Sequence, residues 1–139
     1  MHLSNSAAMV SHMRWQFPLA ALLVATAAAA AAPPPLAALK GFRPGAWAVK
    51  AVGGTSSSSQ CLADLSDLLT GGRPAQDCSF SVIADSADAA TVTYRCAAGR
   101  SGRTQLRRDA HGLYVVDAQG LENGHPFANR SEWRRTGDC

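Results

Sequence analysis

Four cysteines constrain this chain more than any other feature of its sequence. Cys61, Cys78, Cys96 and Cys139 lie in the C-terminal part of a chain of 139 residues. An even number of cysteines in a small exported domain predicts two disulfides. The alternative is a zinc site, but zinc ligands recur at spacings such as CxxC or HxxxH, and neither is present. We therefore predict two disulfides, no metal site and no cofactor.

The segment between Cys78 and Cys96 indicates how the cysteines pair. It reads CSFSVIADSADAATVTYRC, with a polar, turn-like DSADA at its centre. A hairpin centred on Ala87 places Cys78 opposite Cys96 on an apolar face, because strand side chains alternate between faces. The opposite face is polar except for Ile83. The other predicted pairs on the apolar face are Phe80–Tyr94 and Val82–Val92.

This register predicts a bridge between Cys78 and Cys96, which leaves Cys61 to pair with Cys139. In the chain-entropy view the shorter loop contributes about 3 kcal/mol to stability and the longer loop about 4.5 kcal/mol. The terminal cysteine is thus predicted to hold the last strand in place. The alternative is a free, intermolecular or redox-active thiol.

The N-terminal part of the chain predicts export. Arg14 precedes an uncharged apolar run from Phe17 to Ala32, which is shorter and richer in alanine than the ~20 apolar residues of a membrane span. We predict cleavage after Ala30 and a periplasmic location, with no membrane span after cleavage. An uncleaved anchor is the alternative. The predicted boundaries are a signal peptide at 1–30 (with an over-extended start at 1–12), a Pro/Ala-rich tether at 31–41 and a folded domain at 42–139.

The composition of the predicted domain limits its core and its partners. Leu, Ile, Val and Phe make up 17 of the 98 residues from Phe42 onward, which is below the ~20% that usually supports a core. Disulfides are therefore expected to carry part of the stability. From Ala31 onward, twelve basic residues face ten acidic ones, a difference of two. This balance does not indicate nucleic acid as a partner.

Local patterns predict a β-rich fold with one helix. Alternation predicts a strand from Ala46 to Val52, and the residues from Gly53 to Gln60 are predicted to form a loop. Leucines at helical spacing predict a helix from Cys61 to Leu69, ended by Gly71 and Gly72.

The C-terminal half predicts further hairpins. Residues 104–108 and 112–116 predict two paired strands, residues 117–129 a loop, and residues 130–135 a last strand. The total is about six strands and one helix. We predict an α+β fold, mainly β, with two disulfides. It is either an antiparallel sheet with the helix packed on one face or a half-open barrel.

Short motifs follow one another in a set order along the predicted domain. They are Pro44-Gly45-Ala46-Trp47, Cys61-Leu62, Cys78, Cys96 and the closing Arg135-Thr136-Gly137-Asp138-Cys139. Together they resemble the small exported Gram-negative proteins grouped as domain of unknown function 3617. The chain departs from that family's pattern at Ala46 and at Ala63-Asp64. The resemblance implies export and a disulfide-bearing, β-rich domain, and it implies no activity or catalytic residues.

Arginines concentrate near the C-terminus and are the candidates for binding an anion. The candidate residues are Arg107, Arg108, Arg134 and Arg135. If their strands lie near each other, alternation places one arginine of each pair on each face. Two converging guanidinium groups then bind a carboxylate or a phosphate. The alternative is a solvated basic edge that discourages aggregation.

The aromatic residues are expected to lie beneath the helix. Trp47, Phe80, Tyr94 and Trp133 are predicted to form the core, and the alternative is that they line a small apolar pocket for a ligand. Ser101 is predicted to lie in a turn, and His111 and His125 on the surface, rather than in a hydrolytic site.

No combination of nucleophile, acid and base can be assembled from these motifs. We therefore predict a non-enzymatic periplasmic domain for binding or maintenance in the cell envelope, with a small anionic or lipidic ligand. The alternatives are a structural or protein–protein interaction module without a small-molecule ligand, for example one that binds an envelope protein, and an uncharacterised enzyme.

Overall fold

The fold is built on one antiparallel sheet. The computed structural model describes residue 32, residues 34–97 and residues 99–139, so the predicted signal peptide lies outside the described residues. Within these residues seven strands form an open sheet in the order β2-β1-β7-β6-β5-β4-β3. The strands are β1 Gly45–Ala51, β2 Ser57–Leu62, β3 Cys78–Asp85, β4 Ala89–Cys96, β5 Ser101–Arg108, β6 Tyr114–Glu122 and β7 His125–Gly137, and the helical elements are a 3₁₀ turn at Ala37–Leu39 and helix α1 at Leu65–Leu69.

This architecture confirms the predicted mainly β, α+β class and the two disulfides, with seven strands in place of about six. The sheet has free edges at β2 and β3. No helix in the described ranges has the length and apolar character needed to cross a membrane.

The β3–β4 hairpin has the predicted register at the end that carries its disulfide. The pairs Cys78–Cys96, Phe80–Tyr94 and Val82–Val92 are all present. A β-bulge then shifts the register, so that Ala84 pairs with Thr91. Ile83, the one apolar residue on the predicted polar face, is the extra residue of this bulge. The hairpin is therefore not centred on Ala87, because a bulge adds one residue to β3 alone.

The prediction of a loop at residues 53–60 is wrong. Ser57–Leu62 forms the edge strand β2, which pairs with β1. Its residues lack the apolar alternation that identifies a strand from sequence. The strand depends instead on backbone pairing and on the disulfide between Cys61 and Cys139, which confirms the second predicted bridge.

Helix α1 is shorter than the predicted helix from Cys61 to Leu69. It begins after Asp64, whose carboxylate accepts a hydrogen bond from the backbone N–H of Ser66 at 2.9 Å. This N-cap satisfies a helix-end donor and fixes where the helix starts. Gly71 and Gly72, both with positive φ, follow its C-terminal end as predicted.

The predicted hairpin formed by β5 and β6 is confirmed. Asp109 organises its turn, because its carboxylate accepts hydrogen bonds from the backbone N–H groups of His111 at 2.9 Å and Leu113 at 2.8 Å. The hydrogen bond from Leu113 is the main cause that lowers the pKa of Asp109. The strands extend further than predicted, from Ser101 on β5 and to Glu122 on β6.

The loop predicted for residues 117–129 is wrong, since these residues belong mostly to β6 and β7. Only Asn123 and Gly124 connect the two strands. Both have positive φ, 52° and 79°, which fits a two-residue type I′ turn. An Asn-Gly pair is a hairpin signal, but the flanking residues are too polar to show a clear apolar alternation.

The core lies between the inner face of the sheet and the segments that cover it. The main inner-face residues are Trp47, Val92, Leu106, Tyr114, Val116 and Trp133. Leu68 and Leu69 of α1 pack over them. The buried hydroxyl of Thr104 donates a hydrogen bond to the carbonyl oxygen of Leu69 at 2.7 Å. This bond anchors the helix to β5 within the core.

Part of the segment predicted as a tether belongs to the core. Leu36, Ala38 and Leu39 are all at most 5% exposed. The carboxylate of Asp85 on β3 accepts a hydrogen bond from the backbone N–H of Ala37 at 2.8 Å, which fixes the 3₁₀ turn against the sheet. An exposed tether therefore does not describe these residues, because their apolar side chains complete a core that is poor in large apolar residues.

We expect Leu39→Ala to lower the free energy of unfolding by about 2–5 kcal/mol, since it leaves a cavity in the core. Urea unfolding followed by circular dichroism measures this change. The matched control is Val52→Ala, which truncates a side chain that is 45% exposed and should change stability by about 0.5 kcal/mol or less. Equal effects of the two variants would contradict the placement of residues 36–39.

The two disulfides should differ in their contribution to stability. Cys61→Ser with Cys139→Ser removes a bridge across 78 residues and should cost about 4.5 kcal/mol, whereas Cys78→Ser with Cys96→Ser removes one across 18 residues and should cost about 3 kcal/mol. Urea unfolding of both double variants tests this order. The opposite order would show that local packing, rather than loop length, sets the contribution of each bridge.

Candidate functional site

The face of the sheet opposite the core carries a polar groove, called here the outer groove. It has a volume of about 670 Å³ and is lined by residues from β3 to β7. Neighbouring strands lie ~4.8 Å apart, so the groove crosses most of the width of the sheet. Its hydroxyl and amide groups belong to Ser79, Ser81, Thr93, Ser101 and Gln119.

Two arginines give the outer groove its charge. Arg95 on β4 pairs with Ser101 on β5, and Arg103 lies two residues further along β5. Diagonal neighbours of this kind are ~7–8 Å apart, so both guanidinium groups can reach one anion between them. Among the described residues, neither arginine forms an ion pair and no carboxylate lines the groove. The groove therefore offers hydrogen-bond donors and positive charge without an internal counter-ion.

Glycines form part of the floor of the outer groove. Gly102 pairs with Gly120 across β5 and β6. A Cβ at Gly120 would clash with the carbonyl oxygen of Ser101, and one at Gly102 would lie 2.7 Å from the hydroxyl of Tyr94. The ring of Tyr94 therefore packs directly over Gly102, and both positions exclude a larger residue.

Tyr94 connects the groove with the core. Its ring is 2% exposed and lies 6.3 Å from the ring of Phe80, centroid to centroid. Its hydroxyl is buried and has no hydrogen-bond partner. Burial raises the pKa of this phenol, and the positive charge of Arg100 partly opposes that increase.

Smaller depressions continue the outer groove along β5. One of about 190 Å³ is lined by Arg103, Gln105, Asp117 and Gln119. Another of about 370 Å³ includes Arg107 and Arg130 together with Asp117. The positive charge thus extends toward Arg107. Asp117, which pairs with Gln105, lies diagonal to both Arg103 and Arg107 and partly offsets their charge.

The sequence-predicted arginines fall on the two faces as alternation requires, but β6 separates β5 from β7. Arg107 and Arg134 are exposed on the outer face. Arg108 donates hydrogen bonds to the carbonyl oxygens of Lys40 at 2.7 Å and Ala87 at 3.1 Å. These two bonds tie the N-terminal segment and the β3–β4 turn to β5, which is a structural role.

Arg135, the fourth predicted arginine, is also engaged within the protein. Its Nε donates to the carbonyl oxygen of Pro44 at 3.0 Å, and its guanidinium group forms an ion pair with Asp138. These contacts hold the C-terminal end of β7 beside the start of β1.

The four predicted aromatic residues do not surround one pocket. Trp47 and Trp133 are 2% and 1% exposed within the core. The ring of Trp47 stacks on Phe42, with 5.3 Å between centroids. Phe80 is partly buried against the core, and Tyr94 reaches the outer groove.

Other candidate residues occupy surface positions or strands. His111 and His125 are exposed. Ser101 lies at the start of β5 rather than in a turn, and it lines the outer groove. In the described part of the chain, no group of three or more His, Cys, Asp or Glu residues could hold a metal ion.

Sequence reasoning missed that Arg95 and Arg103 are diagonal neighbours on β4 and β5. The signal was the alternation Ser101-x-Arg103-x-Gln105-x-Arg107, in which every second residue is polar. Gly102 makes the first part of this segment resemble a turn, which hides Arg103 as a strand residue.

Comparison with known proteins does not assign the chain to a family. No protein-family model, curated protein or solved structure matches the chain. The likeness to domain of unknown function 3617 stays a prediction from sequence.

Gly120→Ala should destabilise the protein by about 1–3 kcal/mol, because the new methyl group meets the backbone of Ser101. Thermal unfolding measures the loss. Gly137→Ala is the matched control, since a Cβ there meets no heavy atom within 4 Å. Unchanged stability of Gly120→Ala would contradict the close approach of β5 and β6 at the groove floor.

Proposed function

We propose that this protein is an exported, non-enzymatic domain of the cell envelope that binds a small anionic ligand in the outer groove. The observation that carries the proposal is the diagonal pair of Arg95 and Arg103 in a groove lined by hydroxyl groups. Arginine binds carboxylate and phosphate groups through paired N–H donors. The ligand chemistry proposed is therefore a phosphate or carboxylate group.

Apolar groups beside the arginines support a ligand with an apolar portion. Leu121 is 45% exposed and lies in the same cross-strand row as Ser101 and Arg95. Phe127 on β7 borders the groove as well, but it is partly buried against the core. An anionic headgroup on an apolar chain would place its charge between the arginines and its chain against Leu121.

The two disulfides support an oxidising compartment as the site of action, since such bridges persist mainly in exported proteins. The predicted signal peptide and the likeness to an exported family point the same way. We propose the periplasm on these grounds, and binding or maintenance in the envelope as the role.

One observation favours the alternative of a protein–protein interaction module. Val82 and Ile83 on the edge strand β3 are 42% and 57% exposed. A free strand edge with exposed apolar residues is suited to pairing with a strand of another chain. This edge carries no positively charged groove. Substitution of the groove arginines should therefore weaken anion binding but not pairing of the edge with another chain.

Binding of a defined anion tests the proposal. We expect glycerol phosphate to bind in isothermal titration calorimetry and phosphatidylglycerol vesicles to retain the protein in co-sedimentation, with phosphatidylcholine vesicles as the uncharged comparison. Arg103→Gln should weaken binding about ten- to hundredfold, because one charge-assisted hydrogen bond contributes about 1.5–3 kcal/mol.

Arg134→Gln is the matched control, because it removes the same charge from the exposed outer face of β7, away from the groove lining. It should change affinity less than twofold. Binding of both probes indicates the headgroup chemistry alone, and binding of vesicles only indicates a lipidic ligand. Equal losses in the two variants would overturn the groove as the site, and no binding of either probe would leave the interaction module in its place.

A further inference from the structure

A partly buried arginine, Arg100, lies against the disulfide between Cys78 and Cys96. The Nη2 atom of Arg100 is 3.6 Å from both sulfur atoms and also donates a hydrogen bond to the carbonyl oxygen of Pro74. Its Nε atom is buried and has no hydrogen-bond partner. A disulfide sulfur is a weak acceptor, so the guanidinium group lacks an anionic partner while the bridge is intact.

The charges around this site do not supply that partner. Among the described residues, no carboxylate lies within ion-pair distance of Arg100. Asp77 and Glu122 line the neighbouring cleft, and Glu122 forms an ion pair with Arg73. A thiolate at Cys78 or Cys96 would give Arg100 a charge-assisted hydrogen bond that the disulfide cannot give.

A cleft leads to the bridge. It has a volume of about 240 Å³ and is lined by both cysteines, Arg100 and residues of the connection between α1 and β3. Cys96 is partly exposed, whereas Cys78 is 3% exposed. A small thiol therefore has a route through the cleft to Cys96, the more exposed cysteine of the bridge.

We infer that the Cys78–Cys96 bridge is a thiol–disulfide exchange site, opened by a dithiol reductant, whereas the Cys61–Cys139 bridge is a structural staple. Arg100 favours the reduced pair because it stabilises the thiolate that leaves. The Cys61–Cys139 bridge has no such arginine contact in the described part of the chain. This inference rests on the arginine and the cleft, and it is independent of ligand binding in the outer groove.

The exchange proceeds in two balanced steps. A thiolate of the dithiol attacks the sulfur of Cys96, the bond to Cys78 breaks, and the electron pair leaves on Cys78 beside Arg100. The second thiol of the reductant then attacks the reductant's first sulfur, which is bonded to Cys96 in the mixed disulfide. Cys96 is thereby released. The dithiol loses two electrons and becomes a cyclic disulfide, and its two protons pass to the cysteine pair or to solvent.

Equilibration of the full protein in buffers of reduced and oxidised dithiothreitol tests the inference. Alkylation and mass spectrometry give the reduced fraction of each bridge. We expect Arg100→Met to require about a tenfold higher ratio of reduced to oxidised dithiothreitol for half-reduction of Cys78–Cys96, which corresponds to about 30 mV. Arg134→Gln, which removes a charge from the exposed outer face of β7 and from outside the lining of the cleft, should leave the ratio unchanged.

Cys61–Cys139 serves as the internal control, because Arg100→Met should not alter its reduction. An unchanged ratio for Cys78–Cys96, or equal shifts for both bridges, would overturn the inference. If Arg100→Met does not fold, the wild-type protein still decides the question. After reduction, the pH dependence of alkylation should show a pKa below the ~8.5 of a free cysteine for one thiol of the pair, and a value at or above 8.5 would overturn the inference.

Discussion

The pairing of the last strand with the first is the contact on which the rest of the sheet depends. β7 lies between β1 and β6. Without β7, the β1–β2 hairpin would be separated from the other four strands, β3 to β6. Bringing these strands together closes a loop of most of the domain, which carries an entropic cost that local hairpins avoid. The Cys61–Cys139 bridge lowers that cost by holding the C-terminus to β2, beside β1.

A small supply of apolar residues shapes the remainder of the fold. The inner face concentrates these residues beneath α1, and Leu36 and Leu39 from outside the predicted domain complete the layer. One face of the sheet is thereby covered, and the other stays polar. That asymmetry leaves an open surface on which the outer groove forms, with Arg95 and Arg103 on it because strand side chains alternate.

The two disulfides occupy different chemical environments, although both join segments of one sheet. Cys61–Cys139 closes a long loop and its cysteines are exposed. Cys78–Cys96 closes a short hairpin that is already paired by hydrogen bonds. It therefore contributes less to stability by restricting the unfolded chain. Its contact with Arg100 instead concerns the charge of the sulfur. The four cysteines thus form one structural bridge and one bridge that we propose to be reactive.

The sequence by itself determined the local features of this protein. The disulfide pairing and the first part of the β3–β4 register follow from alternation, because a strand's period of two is visible in neighbouring residues. Only the tertiary structure decided which strands became neighbours and that Ser57–Leu62 is a strand. It also decided that β6 separates Arg107 from Arg134, whereas Arg95 and Arg103 are diagonal neighbours. These outcomes depend on pairing between distant segments, and no local pattern records which partner a strand will meet.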